Sequence, residues 1–145
     1  MPHLRLHDLA AYPFSLRLTV RTTDLNYGGH LGNDRILTLV HEARVAFLAH
    51  HGWTELDCAG VSLIMGDAAI VFKEEAFAGD ELDVDCAAGE PGRCGFRLFH
   101  RLRRTGDGKT IALVETGMVC FDYRQRRIVP LPAGIAAVCG QGGAS

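Results

Sequence analysis

The chain has 145 residues, of which 48% are apolar and 22% charged, and its formal net charge is −2. This length predicts a single domain over 1–145 with a hydrophobic core, and the composition excludes a disordered chain. The balanced charge argues against a nucleic-acid-binding protein, which needs a basic excess, and no apolar run approaches the ~20 residues of a membrane-spanning helix.

The first third of the chain predicts a strand, a glycine-rich turn and a long helix. Apolar and polar residues alternate over Phe14–Arg21, as in a half-buried strand. A turn over 26–32 follows, and then a helix over Asn33–His51, which ends before Gly52. Asn33 is the expected N-cap, with Asp34 at the positive end of the helix dipole. Because apolar residues occupy much of its circumference, we expect this helix to be buried on more than one side.

The remainder of the chain predicts a run of antiparallel strands. Alternation indicates strands over Val61–Met65, Ala68–Glu75, Glu81–Cys86, Phe96–Arg103 and Thr110–Tyr123. The last two are expected to form a hairpin around Asp107 and Gly108. A short helix is predicted over Ala133–Val138, with a frayed end from Gly140. This order predicts an α+β fold in which the sheet wraps around the long helix, and its open edges favour a homo-oligomer.

The five cysteines indicate the redox compartment. They are an odd number without C-x-x-C spacing, so we expect buried thiols rather than disulfides or a zinc site, and no bound metal. Met1–Leu9 lacks the apolar region of a secretory signal. Together these features predict a protein of the reducing cytoplasm.

The segment between the first strand and the helix carries the candidate chemistry. Asp24, Asn26 and His30 lie within seven residues, beside a helix N-terminus that favours negative charge. Glycines permit positive φ and close approach of a substrate, and they stand at 28, 29 and 32. The N–H groups from Gly29 to Leu31 are candidate donors to an oxyanion, with Asn33 close by. From local physics alone, a capped turn and a catalytic site explain this segment equally well.

Two motifs resemble a known family. Residues 20–33 read Val-Arg-x-x-Asp-x-Asn-x-Gly-Gly-His-Leu-Gly-Asn, and His-Glu-Ala-Arg follows on the helix at 41–44. This pattern resembles the hot-dog fold acyl-CoA thioesterases, above all the hydroxybenzoyl-CoA thioesterase branch, over about residues 14–123. Residues 72–82 resemble that family's Y-x-x-P-x-x-x-G-D-E-L strand. The resemblance implies an antiparallel sheet around a central helix, hydrolysis of a small-molecule acyl-CoA without a cofactor, and a homodimer or homotetramer.

Two departures from this branch concern the catalytic carboxylate. The branch has its catalytic Asp where this chain has Asn26, and a proline where it has Glu75. Plant acyl-carrier-protein thioesterases instead have Asp-x-Asn-x-His, completed by a glutamate from a later strand. Asp24, Asn26, His30 and Glu75 are similar to that set, although His30 lies two residues further on and Ala76 replaces a cysteine. The resemblance implies Asp24 or Glu75 as the base for water, Asn26 as the orienting group, and His30 as a donor or a structural bridge.

Other charged residues offer weaker alternatives. Glu42 is a less favoured catalytic carboxylate, because a glutamate that is solvated, or paired with Arg35 or Arg44, explains it better. Arginines recur on one strand face and after the last strand, at 97, 101, 103, 104, 124, 126 and 127. They suit the phosphates of coenzyme A, although an ordinary solvated face is the simpler interpretation.

Two other functions stay open at this stage. One is a hot-dog hydratase acting on enoyl-CoA, and the other is a non-catalytic module that binds acyl-CoA. Hydration without release of thiol indicates the first, and binding without turnover indicates the second.

Overall fold

The computed structural model describes residues 4–140, and it contains one antiparallel sheet and two helices. The strands are β1 (Phe14–Thr19), β2 (Ser62–Phe72), β3 (Glu81–Gly89), β4 (Gly95–Arg104), β5 (Thr110–Asp122) and β6 (Arg127–Ile128), and the helices are α1 (Ile36–His50) and α2 (Ala133–Val138). The sheet order is β1-β3-β4-β5-β2, and β6 pairs with β5. This is the predicted α+β arrangement. Within residues 4–140, neither helix is long and apolar enough to cross a membrane.

The main core lies between α1 and one face of the sheet. Val40 and Ala43 of the helix are fully buried, as are Leu82 and Leu98 of the sheet. A smaller cluster on the other face packs Leu9, from the N-terminal segment, against Ala87 and Phe99. The expected burial of α1 on more than one side is wrong at Val45, which is 47% exposed.

The long edge strand β2 replaces two predicted strands. Its register against β5 shifts between Met65 and Asp67, so that Gly66 is the extra residue of a β-bulge. The bulge interrupts the alternation of side chains, which is why the sequence reads as two segments. The strand also ends at Phe72 rather than at Glu75, because the next backbone N–H groups, of Lys73 and Glu74, both donate to Ile111 O.

The start of α1 differs from the prediction as well. Asn33 is not an N-cap, because Asn33–Arg35 forms a 3₁₀ turn that begins after Gly32, and α-helical geometry starts at Ile36. The N–H of Gly32 donates to Asp24 O at 2.9 Å, which holds this part of the chain extended. Of the three glycines expected to allow positive φ, only Gly29 uses it, at +82°.

The C-terminal prediction is confirmed for the helix. α2 spans Ala133–Val138, as the sequence indicates. The predicted frayed end lies outside the described residues, apart from Gly140, whose N–H donates to Ala88 O at 2.9 Å.

Candidate active site

A cleft of about 540 Å³ opens where the loop before α1 meets the chain after β2. This volume lies within the usual range of small-molecule sites, roughly 300–1,000 Å³. Three of the four predicted catalytic residues, Asn26, His30 and Glu75, share this cleft although two separate segments supply them. The lining consists of Asn26, His30, Leu31, Asn33, Ile36, Phe72, Lys73, Glu74, Glu75, Ala76 and Ile111.

Backbone hydrogen bonds bring the two segments together. The N–H of Leu31 donates to Ala76 O at 2.7 Å, next to Glu75 in the chain. The guanidinium of Arg104 donates to the carbonyl oxygen of Glu75 itself. The main chain therefore sets where the Glu75 side chain leaves the backbone.

His30 and Glu75 form a pair within the cleft. Nδ1 of His30 lies 3.3 Å from Oε1 of Glu75, and the imidazole packs edge-on against Phe77 with 5.6 Å between ring centres. The side chains are 38% and 63% exposed, so both can reach a molecule in the cleft. A histidine and a carboxylate at this separation can share, take up or return a proton during a reaction.

Asn26 supplies a hydrogen-bond donor beside this pair. Its Oδ1 accepts from the N–H groups of Gly28 at 2.9 Å and His30 at 3.3 Å. The amide nitrogen is left for the cleft, since no acceptor in residues 4–140 lies within hydrogen-bond distance of it. An N–H₂ group in this place can bind a carbonyl oxygen or orient a water molecule.

The backbone donors differ from those expected. Gly29 N–H donates to Asn26 O at 3.1 Å, His30 N–H donates to Asn26 Oδ1, and Leu31 N–H donates to Ala76 O. These bonds stiffen the loop, and they correct the expectation that the N–H groups of Gly29 and Leu31 are free for an oxyanion. The N–H of Asn33 lies at the start of the helical segment and has no acceptor in the described part of the chain, so it stays available as a backbone donor in the cleft lining.

Asp24 lies outside the cleft lining and is fully buried. Its carboxylate accepts three hydrogen bonds from Arg21: from the backbone N–H at 2.9 Å, from Nε at 3.2 Å and from Nη2 at 3.0 Å. The side-chain hydrogen bond with Arg21 holds the pKa of Asp24 below its ordinary value. A carboxylate so fully engaged anchors the beginning of the loop.

The substitution Asp24→Asn is expected to lower the free energy of unfolding by about 1–3 kcal/mol, because an amide cannot accept all three bonds from Arg21. Since folding lowers the pKa of Asp24, this stabilisation is present at neutral pH and lost as the pH falls through the acidic range. Urea unfolding at several pH values measures both effects. The exposed Asp34→Asn is the control, and normal stability of Asp24→Asn with a hundredfold loss of kcat would contradict the structural role.

Glu42 lies on the exposed side of α1 and lines a separate groove with Arg21 and Thr38. Glu42 is therefore solvated, and the alternative pairing with Arg35 or Arg44 is wrong, since neither forms an ion pair with it in residues 4–140. Nε of the buried Arg44 donates instead to Glu55 Oε2 at 2.9 Å.

The arginines of β4 are occupied by carboxylates. Nε of Arg101 and Nε of Arg103 donate to the buried Asp85 at 2.9 and 2.7 Å, and Nη2 of Arg97 lies 3.0 Å from Asp67. The expected solvated face is therefore wrong for this strand, because these arginines are engaged in ion pairs with carboxylates of the same chain. The sequence analysis missed one cation, Lys73, which lies in the cleft lining. Its position in the second motif, two residues before Glu75, was the signal that could have identified it.

Comparison with known proteins yields consistent likenesses. The sequence model of the thioesterase-like superfamily matches residues 20–138. A 1,4-dihydroxy-2-naphthoyl-CoA hydrolase of Synechococcus elongatus is 29% identical over 129 residues, which cover 86% of this chain and 91% of that protein.

Solved structures share the fold. A 1,4-dihydroxy-2-naphthoyl-CoA thioesterase from Synechocystis has a TM-score of 0.78 at 21% identity, covering 88% of this chain and 96% of its own. A thioesterase from Thermus thermophilus, solved with coenzyme A and zinc, has a TM-score of 0.75 at 23% identity, covering 88% and 97%. Within residues 4–140 of the present chain, no group of three or more His, Cys, Asp or Glu side chains is placed to hold a metal ion.

Proposed function

Because the chain belongs to the thioesterase-like superfamily, we propose that it is an acyl-CoA thioesterase that acts in the cleft holding Asn26, His30 and Glu75. The observation that carries this proposal is the 3.3 Å separation of His30 Nδ1 and Glu75 Oε1 beside an unoccupied amide donor. Such a cleft offers the groups that hydrolysis of a thioester needs. The reaction converts acyl-CoA and water to a free acid and a thiol, with no cofactor.

The chemistry of the leaving group limits what the enzyme must supply. A thiol has a pKa of about 8.5, so a thiolate departs without a strong general acid. What remains is a base for water and donors for the carbonyl oxygen. Both requirements are met by groups in this one cleft.

In the proposed mechanism, Glu75 takes a proton from a water molecule while His30 holds the carboxylate in place. The water oxygen bonds to the thioester carbon, and the carbonyl oxygen becomes an oxyanion that accepts from the amide of Asn26 and the N–H of Asn33. The intermediate then collapses, the C–S bond breaks, and the sulfur takes the proton from Glu75. Atoms and charge balance, and the carboxylate is regenerated.

An aromatic acyl group is the first candidate substrate. Support comes from the 29% identical relative, which is a 1,4-dihydroxy-2-naphthoyl-CoA hydrolase. The side chain of Phe72, 50% exposed in the cleft lining, offers a flat apolar surface to an aryl ring.

A thiol-release assay over a panel of acyl-CoAs tests the function. The panel contains 1,4-dihydroxy-2-naphthoyl-CoA, benzoyl-CoA and straight-chain acyl-CoAs, and we expect stoichiometric free thiol with the aryl substrates turned over fastest. Hydration of an enoyl-CoA without thiol release, or tight binding of every acyl-CoA without turnover, would overturn the proposal.

We further propose that the chain forms a homo-oligomer through β2. This strand lies at the end of the sheet order, and ten of its eleven residues pair with β5 on one side. On the other side the N–H of Leu63 donates to Glu55 O, and the edge beyond it presents backbone donors and acceptors to a second copy. The side chain of Met65 on this strand is 41% exposed. Light scattering is expected to give at least twice the 15.7 kDa mass of the chain, and a monomer at micromolar concentration would overturn this proposal.

A further inference from the structure

A second opening of about 540 Å³ adjoins the cleft. Lys73 and Glu74 belong to the linings of both, so the two openings are neighbours at these residues. The second opening adds Lys109, from the turn between β4 and β5, and Asp8, from the N-terminal segment. Charged side chains thus line the second opening next to the cleft.

Two lysines carry the uncommitted positive charge of the second opening. The N–H of Lys73 donates to Ile111 O at 2.8 Å, so Lys73 lies beside the start of β5. Because Ile111 follows Lys109 by two residues, this bond brings the two lysines to the same part of the chain. Each arginine of β4 has a carboxylate within 4.0 Å, whereas neither of these ammonium groups has one in residues 4–140. The two lysines are therefore free to bind an anion.

The negative charges nearby do not cancel them. Asp8 lies 3.1 Å from Nη1 of Arg101, and Asp107, the acidic residue closest to Lys109 in the chain, lies 2.8 Å from Nη1 of Arg104. Glu74 is exposed and has no cation within 4.0 Å in the described chain. In the lining of the second opening, two free ammonium groups thus face one free carboxylate, which leaves a positive balance there.

Building on the proposed function, we propose that Lys73 and Lys109 bind the phosphate groups of coenzyme A and make the enzyme select CoA thioesters over thioesters that lack phosphate. Ammonium groups bind phosphate as point charges, without the fixed geometry that a guanidinium requires. Lys73 precedes Glu75 by two residues, with a bend of the chain at Glu74, and Lys109 belongs to the lining of the second opening and not to that of the cleft. In the proposed complex the phosphates bind on the side of the second opening, and the pantetheine arm leads from there to the reacting carbon.

The test compares one acyl group on two thiols, coenzyme A and phosphate-free pantetheine. Lys73→Gln and Lys109→Gln are each expected to raise KM for the CoA thioester roughly three- to tenfold, without a change in KM for the pantetheine thioester. Lys109→Arg retains the charge and is expected to keep the wild-type KM. Glu74→Gln removes the opposing charge and is expected to lower KM for the CoA thioester.

The control is Arg124→Gln, which removes an exposed cation just after β5, away from both openings, and is expected to change neither KM. Raising the salt concentration should reduce the wild-type preference for CoA. The subsite would be overturned if the lysine variants changed KM for both thioesters equally or for neither. It would also be overturned if they raised KM only for thioesters carried on an acyl-carrier protein. Hydrolysis by the wild-type enzyme is a separate readout. If it hydrolysed neither the pantetheine thioester nor acyl-CoA, the thioesterase function itself would be overturned.

Discussion

Replacing Glu75 by glutamine is expected to lower kcat for acyl-CoA hydrolysis by about 10²–10⁴-fold, the usual contribution of a positioned general base. The amide keeps the size of the side chain and its place beside His30, but it cannot take a proton from water. Since Glu75 is 63% exposed and its backbone is held by Arg104, the free energy of unfolding should change little. Thiol release at saturating substrate measures kcat, and urea unfolding verifies the fold.

A matched substitution and a double variant sharpen this experiment. Glu42→Gln changes the same side chain on the exposed face of α1 and is expected to retain wild-type kcat. If His30 acts through Glu75, the double variant His30→Ala/Glu75→Gln loses little more activity than Glu75→Gln alone. Full activity of Glu75→Gln would contradict the proposed base, and strictly additive losses would contradict the coupling to His30.

Mild acid is expected to destabilise the fold through His100. This imidazole is buried in the core, where Nδ1 lies 3.2 Å from Cys86 Sγ and Nε2 has no hydrogen-bond partner. Burial, with a smaller effect of the Arg44 charge, lowers the pKa of His100 to about 3. Because an unfolded histidine has a pKa of about 6.5, the stability that the neutral ring provides is complete above that pH and declines as the pH falls toward 3.

The expected loss is on the order of 2–4 kcal/mol between pH 7 and pH 4, measured as the free energy of unfolding in urea. His100→Leu removes the titration and should flatten this dependence, even if the variant is less stable at pH 7. His51 has a pKa lowered by its own burial and contributes in the same direction. The exposed His50→Gln serves as control, and an unchanged pH dependence in His100→Leu would assign the effect to other groups.

The strands were predictable because alternation of side chains is a local property of the sequence. The first motif lies between β1 and the long helix, as predicted, and β5 and α2 begin where expected, whereas most of the second motif lies in the loop between β2 and β3. The bulge at Gly66 was not predictable in the same way, since it depends on the register against β5, a partner far along the chain. The 3₁₀ turn after Gly32 likewise results from a bond to Asp24 O rather than from the capping residue that the sequence suggests.

The choice between the two acidic candidates also required long-range contacts. Asp24 and Glu75 are both acidic residues beside a turn, and the resemblance to known families admits either. Their surroundings differ: Asp24 accepts three hydrogen bonds from Arg21, whereas Glu75 is held near the loop by the bond from Leu31 N–H to Ala76 O. The bond between Leu31 and Ala76 joins segments that no local pattern connects. The interpretation of Arg101 changed for the same reason, because its carboxylate partner Asp85 lies on a neighbouring strand.

The turn at Asn26 has a consequence for how such enzymes diverge. Only the side-chain oxygen of Asn26 is bonded to the turn, through the N–H groups of Gly28 and His30. An aspartate has that oxygen in the same place, so exchange between the two residues costs the loop no bond. The exchange nevertheless replaces the amide N–H₂, which the proposed mechanism uses as a hydrogen-bond donor, with a carboxylate oxygen, which accepts. A single substitution at this position would therefore change the chemistry of the cleft while the loop keeps its hydrogen bonds.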